Sequence, residues 1–168
     1  VLGQEHKLAA AELQEAAKAL RRQGYDMFTC AAACTQVGQE GDGRCRSGGT
    51  CIIAPFRRGL ELVWPFGTAD LITPETRGRL CGCFSRDLGG IACFSIYVGL
   101  GGWTEANVAL GAQLWRVLSV LTLPWIMGGD FNMEAEELLQ GLPWLAVCAT
   151  VFRAMGGTCC AVDRWTNI

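Results

Sequence analysis

The sequence predicts an α/β sandwich with mixed sheets, and three observations carry that expectation. Short apolar or alternating runs at 50–54, 60–65, 79–85 and 91–98 follow one another at turn-like intervals, separated by glycine and charged residues. Two helical stripes, over 9–23 and from Thr104 to Leu121, lie outside that block. A last apolar run, 121–127, stops in Gly128-Gly129 and then presents Asp130 and Asn132. Strands early and late with helices between them suit a sandwich better than one alternating doubly wound sheet. With 168 residues, 51% of them hydrophobic, the chain can bury one sizeable core, and a single domain over 1–168 is the natural count.

The elements follow in order. Val1-Leu2-Gly3-Gln4 reads as an opening strand that ends at Glu5. In 9–23, Leu13, Ala16, Ala17 and Leu20 share one stripe, and Lys18, Arg21 and Arg22 sit near the C-terminal end, where cations suit the helix dipole. Gly24 stops the helix, and 25–28 reads as a short strand. The glycine-rich stretch 36–49, with Arg44 and Arg46, reads as a surface loop of the kind that runs past a site. After the four strand-like runs, Thr104 is placed as a helix N-cap, and Leu110, Leu114, Val117 and Leu121 continue the stripe. Pro124-Trp125-Ile126-Met127 holds no polar side chain, as in a strand covered on both faces. Trp103 and Trp125 read as core aromatics.

Composition excludes several function classes. A formal net charge of -2 provides no general field to hold nucleic acid by counterion release, so a divalent metal has to supply positive charge at any phosphate. Ten cysteines are many, yet they form no paired Cys-x-x-Cys, and one histidine cannot complete a zinc-finger pattern. No signal peptide is visible, so reduced, mostly buried thiols and an intracellular chain are expected. The longest apolar stretch is broken by Ser119, Thr122 and Pro124, well short of the roughly 20 residues a bilayer needs.

Asp130 and Asn132 admit two readings. One carboxylate oxygen and one amide at a strand's C-terminal edge can converge on a single water or phosphate, the place where α/β proteins keep their chemistry. Equally, both are preferred caps for a helix over 134–140.

Gly129-Asp130-Phe131-Asn132 after an apolar strand resembles the signature of the endonuclease/exonuclease/phosphatase superfamily, the DNase I-like metal-dependent phosphodiesterases. The opening Leu2-Gly3-Gln4-Glu5 resembles the family strand whose Glu is a Mg²⁺ ligand. The stretch 47–54 resembles its Gly-Gly strand, 91–97 the strand bearing its active-site Tyr, and 107–118 its Asn-x-x-Leu helix. Gly157-Thr158-Cys159 is similar to the Thr-Cys segment of retrotransposon-type endonucleases.

The resemblance implies a four-layer α/β/β/α sandwich, incomplete here, with this chain as the central part of such a domain. The family's upstream Asn strand and downstream Asp-His pair have no counterpart, since His6 is the one histidine. It implies Mg²⁺ or Mn²⁺ on Glu5, Asp130 orienting or deprotonating water, Asn132 donating to a phosphate oxygen, and Tyr97 stabilising developing charge. Arg44 and Arg46 are possible phosphate contacts, as are Arg77 and Arg79, while His6, expected on the opposite face from Glu5, is set aside. Expected substrates are nucleic acid, DNA first, or a small phosphorylated molecule, with activity impaired in this chain. Two rivals remain, a non-catalytic relic acting as a structural or interaction module, and a cysteine-rich redox or metal-binding protein.

Overall fold

The opening strand is short, β1 (Leu2–Gln4), because the backbone leaves the extended region at Glu5 (φ 52) and again at Lys7 (φ 56). The computed structural model describes residues 1–31, 33–34, 46–62, 76–86 and 90–152. The first helical stripe forms α1 (Ala10–Arg22), whose entry is closed by the Ala9 N–H donating to the Glu12 carboxylate at 2.6 Å. Leu13 is its buried anchor, and the helix packs on the strand that follows, β2 (Tyr25–Cys30).

β3 (Ala33–Cys34) and β4 (Arg46–Ser47) form a two-residue antiparallel ribbon, so the end of the expected 36–49 loop is paired backbone, while 36–45 lies outside the described residues. β5 (Thr50–Pro55) runs antiparallel between β1 and β2, with Ile52 opposite both Leu2 and Phe28. β6 (Leu60–Leu62), β7 (Leu80–Ser85) and β8 (Ile91–Tyr97) make an antiparallel meander. Only the start of the expected 60–65 strand is described.

The second stripe forms α2 (Glu105–Ser119), capped by the Thr104 hydroxyl, which accepts from the Asn107 N–H at 3.3 Å. This helix is the crossover that lets β9 (Trp125–Asp130) lie parallel to β8, and α3 (Ala135–Gly141) and α4 (Leu145–Cys148) follow. The fold is therefore mixed α/β, with a sheet ordered β1-β5-β2 and another ordered β6-β7-β8-β9.

Two cores hold these layers. In the larger, Leu80, Phe94 and Ile96 of the four-stranded sheet meet Leu110, Leu114 and Val117 of α2, with Leu138 and Leu145 closing one side. Each such side chain, fully buried, contributes about 1.5–3 kcal/mol. The smaller core joins the two sheets through Cys30, Ile52, Cys81 and Cys83, with Leu2, Phe28 and Cys93 around them. Ser95 ties the sheets by hydrogen bonds, accepting from Gln4 Nε2 at 3.0 Å and donating to the Gly3 carbonyl at 3.1 Å. The six described cysteines that the structure gives as free are mostly buried, Cys93 being half-buried and Cys148 exposed.

One expectation is corrected. β9 is not covered on both faces, for Ile126 is 56% exposed. Trp125 and Met127 turn to the helical side and pack on the larger core, so alternation sends Ile126 the other way, and among the described residues β9 is the last strand of its sheet. Trp125 and Trp103 do pack against that core, both partly buried. No helix among the described residues is long and apolar enough to cross a membrane.

Candidate active site

Asp130 and Tyr97 are register partners at the C-terminal ends of the parallel strands β9 and β8. Their approach depends on the glycine before Asp130, because a Cβ on Gly129 would overlap the carbonyl oxygen and Cγ2 of Ile96. Beyond Asp130 the chain turns sharply. Asn132 sits at φ 49, a left-handed conformation that asparagine tolerates better than most residues. Its N–H donates to Asp130 Oδ1 at 3.2 Å, closing an Asx turn, and its Nδ2 donates to the Val98 carbonyl at 2.8 Å. The Val98 N–H in turn donates to the Asp130 carbonyl at 2.8 Å, so the turns after β8 and β9 are stitched together.

Neither residue caps the next helix. The N-cap of α3 is Glu134, and no side-chain cap bond is formed there. The capping alternative for Asp130 and Asn132 is thereby overturned, since both are engaged inside the turn itself.

Asp130 is half-buried, and burial pushes its carboxyl above the ordinary value. The negative charge of Glu5 adds to that rise, while hydrogen bonds from Asn132 act against it. Glu5 therefore lies within electrostatic reach of Asp130 although 125 positions separate them in the chain. The route is structural: Gln4, next to Glu5, is fastened to Ser95, two residues before Tyr97 on β8. The Glu5 side chain is 41% exposed and its Oε1 lies 3.4 Å from Lys7 Nζ.

Tyr97 is 6% exposed, deeper than a phenol standing at a rim, with its ring beside Gly48. Its N–H donates to the Arg79 carbonyl at 2.8 Å. Glu5, Tyr97, Asp130 and Asn132 thus gather at one edge of the two sheets. Arg44 lies outside the described residues, and of Arg46 only the backbone, in β4, is described.

Three residues near this edge, His6, Asn107 and Arg79, have structural tasks that the sequence does not assign them. His6 does not lie on an opposite strand face, because Glu5 is no longer in a strand. Its Nδ1 accepts from the Leu8 N–H at 3.0 Å, which leaves Nε2 to carry the proton toward Thr29 Oγ1 at 3.3 Å. Thr29 Oγ1 donates its own proton to the Thr50 carbonyl, consistent with this neutral tautomer, and burial lowers the imidazole pKa. The ring fills the space beside Gly49, where a Cβ would collide with it, and so clamps the turn that carries Glu5. No sequence signal announces this clamp, because Gly49 is remote in the chain and Thr29 lies 23 positions away.

Asn107 is 1% exposed and satisfies four partners. It donates to the Gly99 and Gly102 carbonyls at 2.9 and 2.6 Å and accepts from the Gly99 N–H at 3.1 Å and Arg79 Nη1 at 3.0 Å. Arg79 is accordingly a latch on the segment after Tyr97 through its Nη1, and Arg77 is exposed. A signal did exist for Asn107: it is a polar residue at helical spacing with the apolar Leu110 and Leu114.

Among the described residues no group of three or more His, Cys, Asp or Glu could hold a metal ion. The donors that influence one another here are two carboxylates, hard oxygen ligands whose mutual repulsion a cation relieves. That set fits a Mg²⁺-like ion keeping most of its water shell, and it does not fit zinc.

No family model matches the chain, and neither does any curated protein. Solved structures do match, among them a humanized D. rerio TDP2 carrying 14 mutations, at 17% identity and a TM-score of 0.47. The match covers 83% of this chain and 51% of that one, so the chain spans about half the length of the structure it is similar to.

Proposed function

We propose that the chain is a metal-dependent phosphodiester hydrolase of the endonuclease/exonuclease/phosphatase kind, of retrotransposon type, with its layers arranged as in a four-layer α/β/β/α sandwich. The observation that supports this reading best is Asp130: a half-buried carboxylate with raised pKa, held in an Asx turn at a strand's C-terminal end and influenced by the Glu5 charge. Asp130 accepts the proton of the attacking water. Tyr97 and the turn behind it shape the place of the scissile phosphate. Glu5 holds Mg²⁺ or Mn²⁺, which when bound neutralises the phosphate charge.

Asn132 has a positioning task besides the donor role the resemblance implies. It orients Asp130 through its N–H, and with one Nδ2 proton given to the Val98 carbonyl the second is left for a phosphate oxygen. DNA is the first substrate class and a small phosphorylated molecule the second, in an intracellular setting that suits free thiols. Activity in this chain is low, because its one histidine is spent on clamping the Glu5 turn and cannot act at the phosphate.

The competing reading is a relic that keeps the fold for packing or interaction. It draws support from the depth of Tyr97 and the internal bonding of Asn132. Plasmid nicking with Mg²⁺ or with chelator separates the two. Slow metal-dependent nicking that Asp130→Ala abolishes supports the hydrolase, and nicking that is absent, or equal in that variant, supports the relic.

A further inference from the structure

The sheets end, at the pole away from Asp130, in a surface of quite different chemistry. Tyr25 begins β2 and is the register partner of Pro55, the last residue of β5. Phe56 follows at once, with its N–H bonded to the Gly24 carbonyl, so the two aromatic residues start from neighbouring backbone. Tyr25 is 40% and Phe56 43% exposed, although each is large enough to bury.

Arginines surround them. The Arg21 guanidinium carbon lies 5.9 Å from the centre of the Phe56 ring. Arg22 ends α1 beside it, and Arg57 and Arg58 form the 3-10 turn with Phe56. The Arg58 carbonyl accepts from the Ser85 hydroxyl at 2.9 Å, which brings in the end of β7 and the neighbouring Arg86. Arg86 is paired with Glu61 at 2.8 Å, and among the described residues Asp26 is a further acid of this end, half-buried in β2. Arg21, Arg22, Arg57 and Arg58 have no ion-pair partner among the described residues.

The helix dipole accounts for cations at the end of α1. It does not account for two more arginines on another element, or for two aromatic rings left partly in water beside them. In a chain of net charge -2 this local cluster is an attraction for a polyanion that also offers flat apolar faces. Single-stranded nucleic acid has both properties: its bases stack on aromatic rings and its phosphates pair with arginine. An acidic peptide offers only the charge.

We infer that Tyr25 and Phe56, with Arg21, Arg22, Arg57 and Arg58, form a binding platform for single-stranded nucleic acid, at the pole opposite the Asp130 edge. β8 spans the two poles with 7 residues, which at about 3.3 Å each separates them by roughly 20 Å. The platform holds a strand without base-specific contacts, two bases on the rings and the phosphates on the arginines. It stands whether or not the Asp130 edge hydrolyses anything.

The test is fluorescence anisotropy of a labelled 12-residue oligothymidylate with the full chain, in chelator, so that no hydrolysis intervenes. Binding is expected, with a logarithmic salt slope of about -3 for four phosphate contacts. The double variant Tyr25→Leu, Phe56→Leu is expected to weaken it at least tenfold. Arg57→Gln is expected to reduce the slope by about 0.7. All these side chains are exposed, and melting curves check that the variants fold. Crosslinking of an oligonucleotide carrying 5-iodouracil is expected to mark the peptides holding Tyr25 or Phe56. The inference is overturned by absence of binding, by variants that bind as the parent does, by crosslinks confined elsewhere, or by polyglutamate displacing the oligonucleotide as well as unlabelled oligonucleotide does.

Discussion

Asp130 shows how a single residue acquires chemistry from its surroundings. Burial and the Glu5 charge both favour its neutral form in the folded chain, so its pKa is raised on folding. The sign for stability follows: the contribution is fully present below the unfolded value of about 3.9 and is lost as pH rises through the higher folded value. Asp130→Asn removes that loss. The difference in melting temperature between the native chain and Asp130→Asn should therefore grow in favour of the variant as pH rises from below the unfolded value through the higher folded one, and then level. A difference that does not change with pH would show that Asp130 is as solvated as an ordinary surface acid. The cysteines divide along similar lines. Cys83 and Cys93 face each other across β7 and β8, and the Cys83 thiol, by donating its hydrogen bond, holds Cys93 below the ordinary thiol value. Burial raises Cys30, Cys51 and Cys81. Alkylation of the native chain near pH 7.5, followed by peptide mapping, should mark Cys93 and the exposed Cys148 before those three.

At the scale of elements, the sites that matter are close approaches and buried polar groups. Gly129→Ala forces a methyl against the Ile96 backbone and should cost about 1–3 kcal/mol, read as a drop in denaturation midpoint. Asn107→Ala leaves the Gly99 and Gly102 carbonyls and the Arg79 guanidinium without their partner, and should cost about 3 kcal/mol. Most elements were legible in the sequence. Local patterns set α1, α2, β5, β7 and β8 within a residue or two, and Thr104 was readable as a cap because a cap is a local device. What escaped was non-local. Ile126 looks buried within its own apolar run, and only the sheet order reveals that β9 lacks a neighbour among the described residues. His6 was misplaced by strand alternation that had already ended at Gln4. The tie between Arg79 and Asn107 is likewise non-local, its acceptor coming from α2 28 positions on.

Among the described residues, the three-stranded and four-stranded sheets are joined by a small thiol-rich core, with the larger helical core behind the second of them. That arrangement gives the chain two unlike ends, an acidic edge at Glu5 and Asp130 and an arginine-aromatic pole at Phe56. The gathering of distant motifs at one edge was legible only through the family resemblance, because nothing local in Leu2-Gly3-Gln4-Glu5 points to Asp130. The central claim is that Glu5 and Asp130 serve one divalent cation and its water. Mn²⁺ affinity, measured by electron paramagnetic resonance for the native chain, Glu5→Gln, Asp130→Asn and the double variant, tests it directly. Weak binding is expected in the native chain, with a clear loss in each single variant and a double-variant loss smaller than the product of the two, as for groups acting on one ion. Equal Mn²⁺ affinity in all four proteins would contradict the claim.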